Sequence, residues 1–225
     1  MLDYSQLEDI FARGGLLEKG LENFEKRDDQ LSMAWDVAQC YNEDRKGVIE
    51  AGTGTGKSYA YLAPAILHAL EDPEDRTVIA TSNVALQQQL MNKDLPSLVR
   101  LLGTDVSYCL LLGRARYVCT SKMLNTVSSF RDRTEALFSE AQSDEERIYA
   151  WFRSTATGIV EELDHPLLSS PFLSRVRCDR DSCTKQRCRH FSSCFYYNAL
   201  EKASKSRIIV TNHALLFIDS SIRIE

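Results

Sequence analysis

The chain has 225 residues, 44% hydrophobic and 26% charged, the make-up of a soluble globular protein with length enough for one large domain or two smaller ones. A net charge of −5 excludes a global pull toward nucleic acid, and no apolar run approaches the length of a membrane span. The acidic start lacks the basic-then-apolar layout of a signal peptide, so a reducing, cytoplasmic compartment is expected, with the seven cysteines as thiols.

Helical segments broken by Gly14-Gly15 and Gly20 are expected in the first 26 residues. From Leu31 to Tyr41 apolar residues recur at helical spacing. Gly47 to Ala51 reads as a short buried strand, followed by a glycine-rich turn and a helix from Tyr59 to Leu70. Arg76–Thr81 is a second strand and Val84–Met91 a second helix. Pro96 opens a third helix to about Leu102, and Val106–Leu112 is a third strand. Alternating strands and helices predict an α/β fold with a parallel sheet.

After Gly113 the texture changes. Residues 120–165 are polar and helical in character, and residues 166–194 are rich in Pro, Ser, Arg and Cys. The α/β rhythm resumes at Arg207–Thr211 and turns at Asn212-His213. The expected organisation is 1–112 as the first part of a nucleotide-binding domain, 113–200 as an insertion, and 201–225 as a return to the first domain.

Ala51-Gly-Thr-Gly-Thr-Gly-Lys-Ser58 fits a phosphate-binding loop, with Ala51 where the usual pattern has Gly. It follows a predicted strand and opens a predicted helix, as the chemistry requires. Gly52, Gly54 and Gly56 permit backbone N–H groups to face an anion, with Thr53 and Thr55 between them. Lys57 can reach the β- and γ-phosphates of ATP, and the Ser58 hydroxyl can join a Mg²⁺ shell. Hydrolysis also needs a carboxylate at the end of an apolar strand. None is evident after Lys57: Asp219 falls in a predicted helix and lacks a neighbouring Glu.

Cys183, Cys188 and Cys194 lie within twelve residues, which in a reducing compartment points to metal rather than disulfides. Four-thiolate sets hold iron–sulfur clusters or structural zinc, and spacing alone leaves both open, as it leaves open a site without metal. Cys178 could complete a local set of four. Cys40 and Cys109 fall in apolar helix and strand positions and read as core. Arg175 to His190 carries six basic residues against Asp179 and Asp181, a local net of +4; it is a solvated basic face or a phosphate-contacting one. His190 reads as a solvated member of that stretch. Phe191, Phe195, Tyr196 and Tyr197 form either a hydrophobic wall or a stacking surface for bases.

Taken together, these motifs resemble those of the iron–sulfur superfamily 2 helicases, near the DinG/YoaA branch and more distantly XPD. Arg27-Asp-Asp-Gln30 with Met33-Ala34 looks like the family's adenine-sensing segment, Glu50–Ser58 like motif I, and Thr81–Leu90 with Lys93–Pro96 like motif Ia. Gly113-Arg114-x-x-Tyr117-x-Cys119 looks like the entry to the cluster domain. Cys194-Phe195 and Val210–Leu216 look like its exit and return strand. Arg116 and Leu112 depart from the Asn and Lys often found there.

The resemblance implies an incomplete RecA-like P-loop sheet with an inserted, mainly helical iron–sulfur domain. It implies ATP and Mg²⁺ at Gln30 and Gly52–Ser58, with Lys57 and Ser58 catalytic, and a [4Fe–4S] cluster on Cys119, Cys183, Cys188 and Cys194. The implied activity is ATP-driven 5′-to-3′ translocation with DNA strand separation, on single-stranded or forked DNA, with no membrane partner. The family's DEAH box and second motor domain are not in the sequence, so the chain is expected to be an N-terminal portion and inactive alone. The competing reading is a zinc-stabilised, P-loop nucleic-acid-binding protein without motor activity.

Overall fold

The computed structural model describes residues 1–22, 25–131 and 143–224. In chain order its elements are α1 (Tyr4–Phe11), α2 (Leu16–Gly20), α3 (Asp28–Asn42), α4 (Lys57–Glu71), β1 (Thr77–Ala80), α5 (Val84–Gln89), α6 (Leu95–Leu101) and β2 (Tyr108–Leu110). There follow α7 (Thr120–Arg131), α8 (Asp144–Ser154), α9 (His165–Leu168), α10 (Pro171–Val176), α11 (Phe195–Lys205), β3 (Ile208–Thr211) and α12 (His213–Ile224). They divide into two compact units, one of Met1–Leu110 with Lys205–Glu225, the other of Leu111–Ser204. No helix among the described residues is long and apolar enough to cross a membrane.

The first unit is α/β. Its sheet is wholly parallel, in the order β1-β3-β2, with Thr77 and Tyr108 both level with Ile208. The central strand is Ile-Ile-Val-Thr; Ile208 and Val210, on one face, are fully buried, while on the other Ile209 is half-buried and Thr211 buried. The edge strand β1 leaves Val78 exposed. Helices α3 and α4 pack through Ala34 and Ala38 on one and Ala60 and Ala63 on the other, small residues that let the backbones approach. Leu62 and Ile66 of α4 are fully buried, and each contributes about 1.5–3 kcal/mol by leaving water. Cys109 lies in this core, as its strand position implied, whereas Cys40 is half-buried.

Two sequence expectations change. The segment 47–51 is not a strand, and Val48 is fully exposed. The sheet consists of β1, β3 and β2, and this apolar stretch pairs with none of them among the described residues. Pro96 does not open a separate helix: a π-helical turn, Leu90–Asp94, joins α5 to α6 without a break, and Pro96 follows that turn directly. Of the stretch 120–165 expected to be helical, residues 132–142 lie outside the described residues.

The second unit is mainly helical. Val118, Met123, Ile148, Val160, Phe172, Leu173 and Val176 form its core, drawn from α7, α8, α10 and the loops between them. Helix α8 opens with a capping box between Ser143 and Glu146, which satisfies two free amide groups. Short antiparallel bridges join Tyr117 to Ile159 and Val118 to Arg177.

Candidate functional site

In the first unit the glycine-rich loop runs into the N-terminus of α4. Gly54 and Gly56 adopt φ of +83° and +78°, a region that costs other residues strain. Gly56 is the N-cap of α4, and a Cβ there would run into the side-chain amide of Gln30. Gln30, only 4% exposed, donates from Nε2 to the Gly56 carbonyl at 2.8 Å, and the Arg27 guanidinium donates to the Gly54 carbonyl. Lys57 folds back, its Nζ donating to the carbonyls of Ala51 at 2.8 Å and Gly52 at 2.7 Å. Thr55 Oγ1 donates to the Gly52 carbonyl at 3.0 Å. The Ser58 hydroxyl is hydrogen-bonded to Tyr61, whose phenol is pushed up chiefly by burial.

A cavity of about 670 Å³ adjoins this loop. It is lined by Gln30, Gly56 and Ser58 of the expected set, with Arg27, Tyr59, Gln89, Lys93 and Asp94. Gly52, Thr53, Gly54, Thr55 and Lys57 do not line it. Asp94 is the residue that sequence reasoning missed: it is 1% exposed, and its carboxylate accepts from Gln89 Nε2 at 2.8 Å. The π turn carries it to the cavity wall, and such turns leave no periodic signal in sequence. Gln87, also buried, donates to the carbonyls of Thr211 at 3.1 Å and Thr81 at 3.4 Å, tying the ends of β3 and β1. His213 opens α12 with Nε2 3.1 Å from the Ala80 carbonyl. Asp219 falls in α12, and its side chain lies outside the described residues.

In the second unit Cys119, Cys178, Cys183, Cys188 and Cys194 all line one cavity of about 280 Å³. Cys119 immediately precedes α7, and its sulfur accepts from the backbone N–H groups of Ser121 and Lys122. Cys194 immediately precedes α11 and accepts from Tyr196 and Tyr197 in the same way. Free amides at a helix N-terminus favour an anion. Hydrogen bonding from Cys178 is the larger cause, and together these hold both thiols at about 6, against an ordinary 9.0. The same contacts, with burial, push the Cys178 thiol far up. Arg114 adds positive charge beside Cys194.

The guanidinium of Arg114 lies 4.4 Å from the ring centre of Tyr196 and 5.5 Å from that of Tyr197, and Phe191 packs on Tyr197 at 4.8 Å. These three rings line the cavity. Phe195 instead meets Phe152 at 6.1 Å, in the core of the unit. His190, expected in solvent, is half-buried and lines the cavity too. Arg175 pairs with Glu145 and Lys122 with Asp179, whereas Arg180, Lys185, Arg187 and Arg189 are exposed. Among the described residues no group of three or more His, Cys, Asp or Glu side chains is arranged to hold a metal ion.

No family model matches the chain. It is 32% identical over 223 residues to a protein of Haemophilus influenzae named ATP-dependent DNA helicase YoaA, covering 99% of this chain and 33% of that one. The chain is homologous to the YoaA and DinG helicases. A Mycobacterium tuberculosis ATP-dependent helicase DinG is 37% identical over 209 residues, 87% of this chain and 31% of that protein. A Bacillus subtilis protein named 3'-5' exonuclease DinG is 33% identical over 203 residues, 90% of this chain and 21% of that protein. The chain thus spans a third or less of the length of these YoaA and DinG relatives.

Proposed function

We propose that this chain is the nucleotide-binding and cluster-bearing part of an ATP-dependent DNA helicase. The observation that carries the reading is a phosphate loop at the head of α4, tied to Gln30, in a chain matched along 99% of its length by a named helicase. In this reading the first unit is RecA-like. Gln30 sits near adenine, Gly52–Gly56 cradle phosphates, Lys57 turns from its own loop carbonyls to the β- and γ-phosphates, and Ser58 joins Mg²⁺. The complete protein would translocate 5′ to 3′ on single-stranded DNA and separate the strands of forked DNA.

Cys119, Cys183, Cys188 and Cys194 would hold a [4Fe–4S] cluster. The donor set fits: four thiols around one cavity, two of them at helix N-termini that favour thiolate. Four thiols also suit structural zinc, the metal of the competing reading. When bound, the cluster would cross-link distant parts of the second unit and supply a redox-active centre. Exposed Arg180, Lys185, Arg187 and Arg189 beside the site would contact DNA phosphates.

Two measurements test this. Protein prepared without oxygen should be brown and contain iron and acid-labile sulfide; a colourless protein with stoichiometric zinc would favour the non-motor alternative. The chain alone should bind nucleotide weakly and turn over no ATP, because no apolar strand after Lys57 ends in the Asp-Glu pair expected to hold Mg²⁺. ATP turnover abolished by Lys57→Ala would refute that inactivity.

A further inference from the structure

We infer that Cys178 is a positioning residue for the cysteine-lined site, its S–H donating to the sulfurs of Cys119 and Cys194 and thereby raising the reduction potential of the cluster they hold. The inference rests on the cofactor reading above. A cube of four irons takes four thiolates, and five cysteines line this cavity, so one is left over. Cys178 is the buried one, 7% exposed, where the other four are half-buried.

Backbone register fixes its place. The Cys178 N–H donates to the Tyr117 carbonyl at 2.8 Å, and the Cys119 N–H donates to the Val176 carbonyl at 2.8 Å. These bonds flank the antiparallel bridge between Val118 and Arg177. Cys119 and Cys178 therefore leave the two backbones on one face, as diagonal neighbours. Cys194, at the head of α11, reaches the same thiol, so either sulfur can take the Cys178 proton. Its single proton can serve one sulfur at a time. A hydrogen bond to a ligating sulfur withdraws electron density and favours the reduced cluster.

The test is a redox titration of the anaerobically prepared chain, followed by its visible spectrum and electron paramagnetic resonance. Cys178→Ala should keep its iron and sulfide but show a lower midpoint. The oxidised-to-reduced ratio at a fixed potential should rise about tenfold, equivalent to ~59 mV for one electron. Cys178→Ser, which restores a donor, should return toward the original midpoint. Equal midpoints in all three proteins would overturn the inference. So would iron lost from both variants, which would make Cys178 a ligand. Absence of iron and sulfide from the unsubstituted chain would instead defeat the cofactor reading itself, and this inference with it.

Discussion

Gln30 and Gly56 are joined by one hydrogen bond of 2.8 Å, from a buried side-chain amide to the carbonyl of the residue that caps α4. The bond links a helix upstream of the phosphate loop to the loop's last glycine. Gln30→Ala should remove this bond while the Gly56 carbonyl keeps the backbone N–H groups of Tyr59 and Ala60, and so cost about 0.5–1.5 kcal/mol. Gly56→Ala should cost about 1–2 kcal/mol from its left-handed φ, plus the collision with Gln30. The double variant removes the collision and keeps the φ strain. Urea titrations of the four proteins should therefore show a double-variant loss smaller than the sum of the two single losses.

Asp94 predicts a separate effect. Its carboxylate is buried at the wall of the loop-side cavity and accepts from Gln89. Hydrogen bonds to charged groups contribute about 1.5–3 kcal/mol, so Asp94→Ala should lower stability by that order. Equilibrium denaturation reads the loss. Binding of a fluorescent ATP analogue should weaken in Asp94→Ala if the cavity accepts nucleotide, and an unchanged affinity would place the nucleotide elsewhere.

The exposed basic residues of the second unit predict a salt signature. Each phosphate contact releases counterions, so the slope of log affinity against log salt for single-stranded DNA should fall by roughly one for each of Lys185→Ala and Arg187→Ala. Slopes unchanged in both would mean that these side chains face solvent in the complex.

The thiols at the two helix heads predict which substitutions release metal. Cys119→Ser and Cys194→Ser should each lose iron from anaerobic protein, assayed by metal analysis. Retention in Cys119→Ser together with loss in Cys178→Ser would exchange the roles assigned to those two residues.

Much of the first unit was legible because its signals are local. Glycine spacing marks the loop, the apolar run 207–211 marks β3, and the periodicity around Ala34 and Ala38 marks α3. What failed depended on partners. Val48 lies in an apolar run, yet a strand needs a ladder, and this run joins neither edge of the sheet. Asp94 depended on one extra residue in a helical turn, which no periodicity records. In the second unit cysteine spacing marked the thiols but not Cys178 as the contact between two of them, because Cys119 lies far upstream and meets it only through the bridge at Val118 and Arg177.

The sheet order has a consequence for how the chain is made. Its middle strand is the last of the three to leave the ribosome: Thr77 must wait for Ile208, more than half of this chain later, before either flanking strand can bond to it. Contacts this distant in sequence form slowly. Until then α1 to α4 can pack on one another through their own alanines and leucines, while β1 and β2 remain open edges. During synthesis those two strands are the segments in greatest need of shielding from other chains.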